Sequence, residues 1–193
     1  SKVNPKGEIV NVSNDSGFSS ISFSPTMNYY VCQYSSSKDV PQYTLFNAAN
    51  KQIRVLENNS QLNEKYLNMP KREFFEFESC GVNLNGYIVK PTDFNPTKKY
   101  PVIMTLYNGP ASQVVLNKWS VDWENYYATQ GYIIVCVDGR GTGGRGQAFQ
   151  NVVYKDLGKY ETIDLLAAAN YMISQPYVDN SRIGIYGWSY GGF

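Results

Sequence analysis

Arg182-Ile183-Gly184-Ile185-Tyr186, running into Gly187-Trp188-Ser189-Tyr190-Gly191, is the stretch that decides the fold. The first five residues read as a short strand, entered from the turn-forming Asp179-Asn180-Ser181. The next five set a serine between glycines in the spacing Gly-x-Ser-x-Gly. A strand that turns sharply into a helix presents such a serine at its apex, and the glycines let the backbone fold tightly enough to expose the hydroxyl. Working outward, Pro101–Tyr107 and Tyr132–Val137 are near-continuous apolar runs, the pattern of strands buried on both faces of a parallel or mixed sheet. Phe75 and Phe77 alternate with Glu76 and Glu78, and Leu84–Val89 follows a Gly-Val-Asn turn, which predicts a hairpin. Trp119, Trp123, Tyr126 and Tyr127 recur at helical spacing before Gly131, and Ile163, Leu166, Ala167 and Ile173 form a second helical stripe. Strand, helix, strand, helix, strand, with Ser189 at a strand's end, predicts an α/β fold.

The N-terminal third reads differently. From Glu8 to about Leu56, short β-like runs such as Ile21-Ser22-Phe23, Tyr29-Tyr30-Val31-Cys32 and Tyr43-Thr44-Leu45-Phe46 alternate with Asn, Ser, Gly and Pro turns. That spacing predicts antiparallel sheet of the propeller-blade kind, and a single blade cannot bury both faces by itself. Asn58 to Asn68 is polar and turn-rich, the composition of a linker. The expected organisation is therefore residues 1–66 as propeller strands and 67–193 as an α/β region ending at the serine turn.

Composition excludes several classes. Seventeen Lys and Arg against sixteen Asp and Glu, with no basic run, give no electrostatic footprint for nucleic acid or an anionic membrane. No apolar stretch approaches the roughly 18 residues of a membrane span. Cys32, Cys80 and Cys136 are odd in number and widely spaced, which indicates neither a disulfide framework nor a zinc site, and Cys136 reads as core packing. The start Ser1-Lys2-Val3-Asn4-Pro5 is neither an initiator Met nor a signal peptide, so an internal fragment is expected.

The serine hydroxyl is a weak nucleophile until a base takes its proton, and the chain has no histidine. In the fold that carries this motif the serine precedes its acid and its histidine in chain order. Both partners are thus expected beyond Phe193, and the chain alone is expected to be inactive. Nothing in the spacing places a substitute base, Lys155 or Lys159, near Ser189. Two groups are candidates for binding an oxyanion: the backbone N–H of Tyr190, the residue after the nucleophile, and the phenol of Tyr107, which ends a strand before Asn108-Gly109-Pro110. Taken alone, Tyr107 reads more simply as packing. Gly141-Thr142-Gly143-Gly144-Arg145-Gly146 satisfies the Gly-x-Gly-x-x-Gly pattern with Asp164 downstream, so dinucleotide binding is a runner-up. Against it, Asp138-Gly139-Arg140 intervenes after the strand and Asp164 falls within a predicted helix rather than at a strand end. Asp138 and Arg140 read as a structural ion pair or turn anchors, and Glu73, Glu76 and Glu78 as a solvated strand face. A third class, a non-catalytic β-sheet interaction module, would use sheet edges left unpaired.

Tyr100-Pro101-Val102 with Tyr107-Asn108-Gly109-Pro110, Val137-Asp138-Gly139-Arg140-Gly141-Thr142-Gly143, Val178-Asp179, and Gly187-Trp188-Ser189-Tyr190-Gly191-Gly192 together resemble the prolyl oligopeptidase superfamily of serine peptidases, and within it the dipeptidyl peptidase IV branch in its bacterial form. Phe23-Ser24-Pro25 and Leu56-Glu57-Asn58 resemble the end of that family's β-propeller, before its α/β-hydrolase domain. The resemblance implies Ser189 as nucleophile, Tyr107 as a side-chain oxyanion donor beside the Tyr190 N–H, and Tyr190 near an apolar pocket. It implies a peptide substrate cleaved after a penultimate Pro or Ala, and a supporting role for Trp188. Phe193 stands where dipeptidyl peptidases often have Tyr, and Phe also occurs in tripeptidyl relatives, so both specificities stay open. The glutamate pair that holds the substrate amine has no match here, and the catalytic Asp and His are absent. The remainder of the polypeptide is the first partner implied. Relatives are often dimeric and exported to the periplasm, cell surface or medium, and Asn11-Val12-Ser13 is a glycosylation acceptor only in a eukaryotic source. No cofactor or metal is implied.

Overall fold

Every residue of Ile133–Asp138 is buried, and the larger part of the structure is arranged around that strand. The computed structural model describes residues 2–3, 7–10 and 16–192, so Asn11-Val12-Ser13 and Phe193 fall outside the described residues. The chain divides into two units, Ser1–Leu67 with Asn117–Ser120, and Asn68–Leu116 with Val121–Phe193.

In the first unit, Lys2–Val3 (β1) and Ile9–Val10 (β2) pair antiparallel. Phe18–Phe23 (β3), Tyr29–Ser35 (β4), Gln42–Asn47 (β5) and Gln52–Glu57 (β6) form a four-stranded antiparallel meander in sequence order. Turn chemistry sets its register: the Asn47 side chain accepts the amides of Ala49 and Lys51, both at 3.0 Å, and Asn50 takes the left-handed conformation at φ 64. The register places Tyr30 opposite Phe23 and Phe46, and its ring stacks on Phe46 with centroids 5.1 Å apart. Tyr30 and Cys32 are buried, whereas β6 is exposed throughout, Ile53, Val55 and Leu56 included. A lone blade with apolar residues left in solvent is what the turn spacing led one to expect. The stretch read as a linker instead contains a short helix, Ser60–Lys65 (α1), with no buried residue. Four of its six residues, Gln61, Leu62, Glu64 and Lys65, are good helix formers, and six residues make about a turn and a half.

In the second unit, Arg72–Ser79 (β7) and Val82–Val89 (β8) are joined through Cys80 at φ 49 and Gly81 at φ 78, the pair of left-handed residues whose twist suits a tight hairpin. Tyr100–Leu106 (β9), Trp123–Thr129 (α2), Ile133–Asp138 (β10), Gln147–Asn151 (α3), Lys159–Ile173 (α4) and Val178–Gly187 (β11) follow. The strands lie in the order β11-β9-β10-β8-β7, with β9, β10 and β11 parallel and β8 antiparallel to both β10 and β7. The period-two alternation of β10 divides the core. Ile133, Val135 and Val137 pack with Ala168 and Met172 of α4, while Ile134 and Cys136 pack with Ala128 of α2.

Both helices turn a different face inward from the one their apolar stripes predict. Helix α2 begins after Asp122, whose carboxylate accepts the Glu124 amide at 2.9 Å, and it buries Glu124, Asn125 and Ala128. Glu124 accepts from Arg72 at 2.9 Å and from the Tyr87 phenol at 2.7 Å, so these polar groups are satisfied inside while Trp123, Tyr126 and Tyr127 face outward. Trp119 belongs to the first unit, its ring edge-on to Tyr66 at 6.1 Å. In α4 the buried residues are Glu161, Asp164, Ala168 and Met172, and Leu166 and Ile173 are exposed.

Strand β11 shifts register between Val178 and Ile183. At that irregularity the Asp179 carboxylate accepts the Ser181 hydroxyl at 2.7 Å, Arg182 Nε at 2.6 Å and the Ser181 amide at 3.1 Å. The Ser181 hydroxyl first, then the Arg182 guanidinium, holds the carboxyl down to about 2. A carboxyl depressed in the folded state stabilises above its ordinary value near 4 and loses that contribution as pH falls toward 2. The urea midpoint of the wild type is therefore expected to fall between pH 4 and pH 2, and to fall less in Asp179→Ala. Identical slopes in the two proteins would count against this account.

Candidate active site

Parallel pairing of β11 with β9 sets Gly187 beside Leu106, so both strands leave the sheet at one edge. Tyr107 and Asn108 follow at one strand end, Trp188 and Ser189 at the other. Ser189 is exposed and held at φ 54, the left-handed region that costs a residue with a Cβ roughly 1–2 kcal/mol. Such strain persists only where the surroundings impose it. Here they do: a Cβ on Gly187 would overlap the Gly191 carbonyl, and a Cβ on Gly191 would overlap the carbonyl of Leu106. The Gly191 amide donates to the Trp188 carbonyl at 2.9 Å and closes the turn, a four-residue 3-10 helix from Ser189 to Gly192. Gly-x-Ser-x-Gly is thus a packing requirement as well as a motif.

The Tyr107 ring is part-exposed and lies 6.5 Å from that of Tyr190, centroid to centroid. The Tyr190 phenol donates to Glu161 Oε1 at 2.8 Å, and burial, then the Glu161 carboxylate, pushes its pKa up to about 12. Tyr107, Asn108, Glu161, Thr162, Tyr190 and Gly191 line a cavity of about 500 Å³ beside the serine turn. Trp188, for which the resemblance implied a supporting role, is largely in solvent.

The third parallel strand ends here too, at Asp138. Its carboxylate accepts the amides of Val114 at 3.1 Å and Val115 at 2.8 Å, and burial raises its pKa against the pull of those two bonds. Asp138 and Arg140 therefore do not form the ion pair with each other that one reading expected, although both anchor loops. Arg140 instead reaches α4, donating from Nη2 to Asp164 Oδ1 at 2.7 Å, with its own amide on Asp164 Oδ2 at 2.7 Å. Asp164 also accepts the Ser79 hydroxyl at 2.6 Å and is fully buried. This removes the dinucleotide reading: the supposed ribose acid is committed to Arg140 and Ser79. The Gly141, Thr142 and Gly143 amides are likewise spent on the carbonyls of Phe149, Gly139 and Ser112. Neither lysine proposed as a base is placed for that role, since Lys159 pairs with Asp156 at 3.2 Å and Lys155 lines a separate cavity with Pro110 and Tyr154.

Residues 119–193 match the prolyl oligopeptidase family. Nearly the whole chain aligns with the protein named probable dipeptidyl-aminopeptidase B of Emericella nidulans, 37% identical over 92% of this chain and 20% of the relative, and with its namesake from Ajellomyces capsulatus, 39% identical over 96% and 21%. The crystal structure of Porphyromonas gingivalis dipeptidyl peptidase 4 superposes with a TM-score of 0.92 at 42% identity, over 98% of this chain and 28% of that one. Over residues 119–193 the chain is similar to the prolyl oligopeptidase family, and over nearly its whole length to these named dipeptidyl peptidases. It spans about a fifth of the length of the curated relatives it matches. Its fold is that of an α/β-hydrolase sheet preceded by antiparallel strands of a β-propeller.

Within this prolyl oligopeptidase framework, two residues at the site escaped the reading of the sequence. Asn108 is buried at φ 51, accepts the Gly139 amide through Oδ1 at 3.2 Å and ties the ends of β9 and β10 together. Glu161 was legible in principle as the N3 residue of Gly158-Lys159-Tyr160-Glu161, where a glutamate reaches back to the cap amide. Among the described residues no helix is long and apolar enough to cross a membrane, and no group of three or more His, Cys, Asp or Glu is arranged to hold a metal.

Proposed function

We propose that this chain carries the nucleophile and oxyanion site of a serine exopeptidase that releases X-Pro or X-Ala dipeptides from peptide N-termini. Residues 1–66 would be propeller strands and 67–193 the nucleophile-bearing part of the peptidase domain. The observation that carries the reading is Ser189 strained at φ 54 on the strand edge where Tyr107 also emerges. A base takes the proton from Ser189 Oγ as Oγ attacks the scissile carbonyl carbon. The carbonyl oxygen becomes an oxyanion held by the Tyr107 phenol and the Tyr190 N–H. Collapse breaks the C–N bond, the protonated base hands its proton to the leaving amine, and water then releases the acyl group by the same steps. The chain has no histidine, so the base and its acid come from sequence outside these 193 residues. Dipeptidyl rather than tripeptidyl release rests on the names of the relatives.

Labelling by a fluorophosphonate probe tests this. A polypeptide carrying this sequence together with its acid and base is expected to be labelled, with the adduct mapped to Ser189, and the 193-residue chain is expected to stay unlabelled. An unlabelled longer polypeptide would favour a non-catalytic sheet module, and labelling of the short chain would mean that it assembles a base of its own.

A further inference from the structure

Among the described residues, the serine turn is tethered to helix α4 by a long-range hydrogen bond. The Tyr190 phenol donates to Glu161 Oε1 at 2.8 Å, while Glu161 Oε2 accepts the Gly158 amide at 3.0 Å. Two donors therefore fix one carboxylate, on a residue that is itself buried. One turn further along α4, Asp164 grips both the guanidinium and the amide of Arg140. The neighbouring Gly139 amide donates to Asn108, the residue after Tyr107. Helix α4 thus holds both sides of the candidate oxyanion site, Tyr190 through Glu161 and the Tyr107 strand end through Asp164, Arg140 and Asn108.

We propose that Glu161 is a positioning residue for this site: by holding the Tyr190 phenol it sets the Tyr190 N–H, and the Ser189 turn with it, at a fixed distance from Tyr107. The inference rests on the peptidase reading. Its magnitude follows from the sensitivity of catalysis to placement, where a displacement of about 1 Å costs on the order of a hundred-fold in rate. A tether of one hydrogen bond is assigned the smaller share of that range.

The test measures fluorophosphonate labelling rate and thermal midpoint together, in the polypeptide that labels at Ser189. The reaction joins phosphorus to Ser189 Oγ and expels fluoride, and its rate depends on the oxyanion donors. Tyr190→Phe removes only the phenolic oxygen and is expected to slow labelling about ten-fold with little change in midpoint. Glu161→Ala should slow it equally, and the double variant no further. Glu161→Gln separates positioning from capping, because its carbonyl still accepts the phenol while its NH2 opposes the Gly158 N–H. It should restore labelling to within about three-fold while the midpoint stays low. Labelling that tracks the midpoint across the variants, additive losses in the double variant, or an unchanged rate in Tyr190→Phe would each overturn the proposal. Absence of wild-type labelling at Ser189 would instead overturn the peptidase reading on which it rests.

Discussion

Replacing Ser189 by glycine is expected to abolish peptide turnover and to stabilise the protein at the same time. In a polypeptide that carries the acid and base, loss of the proposed nucleophile should lower kcat by on the order of a million-fold, the scale seen when a triad serine is removed. The stability change follows from φ 54 at Ser189. Left-handed backbone costs a residue with a Cβ roughly 1–2 kcal/mol, and glycine does not bear that cost. Glycine's extra freedom in the unfolded chain takes back roughly 0.5–1 kcal/mol. The net gain is about 0.5–1 kcal/mol, a rise of roughly 1–4 °C in Tm for a chain of this size. Ser189→Ala is the informative companion, equally inactive but still strained, so it should melt at or below the wild type. Calorimetry of the three proteins decides the matter, and a glycine variant that melts below the alanine variant would show that the turn is not strained at Ser189.

Asp164→Ala should produce the largest loss of stability. The carboxylate is 0% exposed and receives Ser79 Oγ, the Arg140 amide and the Arg140 guanidinium. Removing it leaves a guanidinium whose side chain is only 10% exposed with no counter-charge, and breaking one side of a buried pair costs about 3–5 kcal/mol. The Tyr160 ring, 4.6 Å from the Arg140 guanidinium carbon, compensates only in part. Against the roughly 5–15 kcal/mol that a domain has in total, this threatens folding itself. Replacing both partners, Asp164→Leu with Arg140→Met, should cost less than Asp164→Ala alone, because no charge is then stranded. Urea midpoints would measure all three, and a single-variant loss below about 1 kcal/mol would sink the argument.

The readings that held and those that did not differ in what decides burial. Strands β9 and β10 were visible because a strand covered on both faces must be apolar throughout, and Ile133–Asp138 is nearly so. The serine turn was visible because its glycines stand at fixed spacing around the serine, Gly187 forced by the Gly191 carbonyl four positions on and Gly191 by the Leu106 carbonyl of the neighbouring strand. Burial in α2 and α4 was misplaced because it falls on Glu124, Asn125, Glu161 and Asp164. Those polar groups are tolerable inside only because Arg72, Tyr87, Pro70, Arg140 and Ser79 meet them, and such partners lie as far as 85 positions away. Spacing along one helix carries no information about partners that distant, whereas the local bond of Glu161 to the Gly158 amide could be read from it. Asp138 and Arg140 likewise look like a pair because they are two positions apart, yet each is used by a different loop.

The three cysteines form no disulfide, and their settings make the chain its own chemical clock. Cys80 projects from the β7–β8 turn into solvent, Cys32 is enclosed in the first unit, and Cys136 sits inside β10 where burial pushes its thiol pKa up. A short pulse of an alkylating reagent would tag Cys80 at once, serving as an internal standard for reagent and time. Cys32 would be tagged only in molecules whose blade has opened, and Cys136 only in those whose larger sheet has come apart. Counting adducts by mass, and mapping which thiol carries them, would then report the order in which the two units unravel without adding any foreign label.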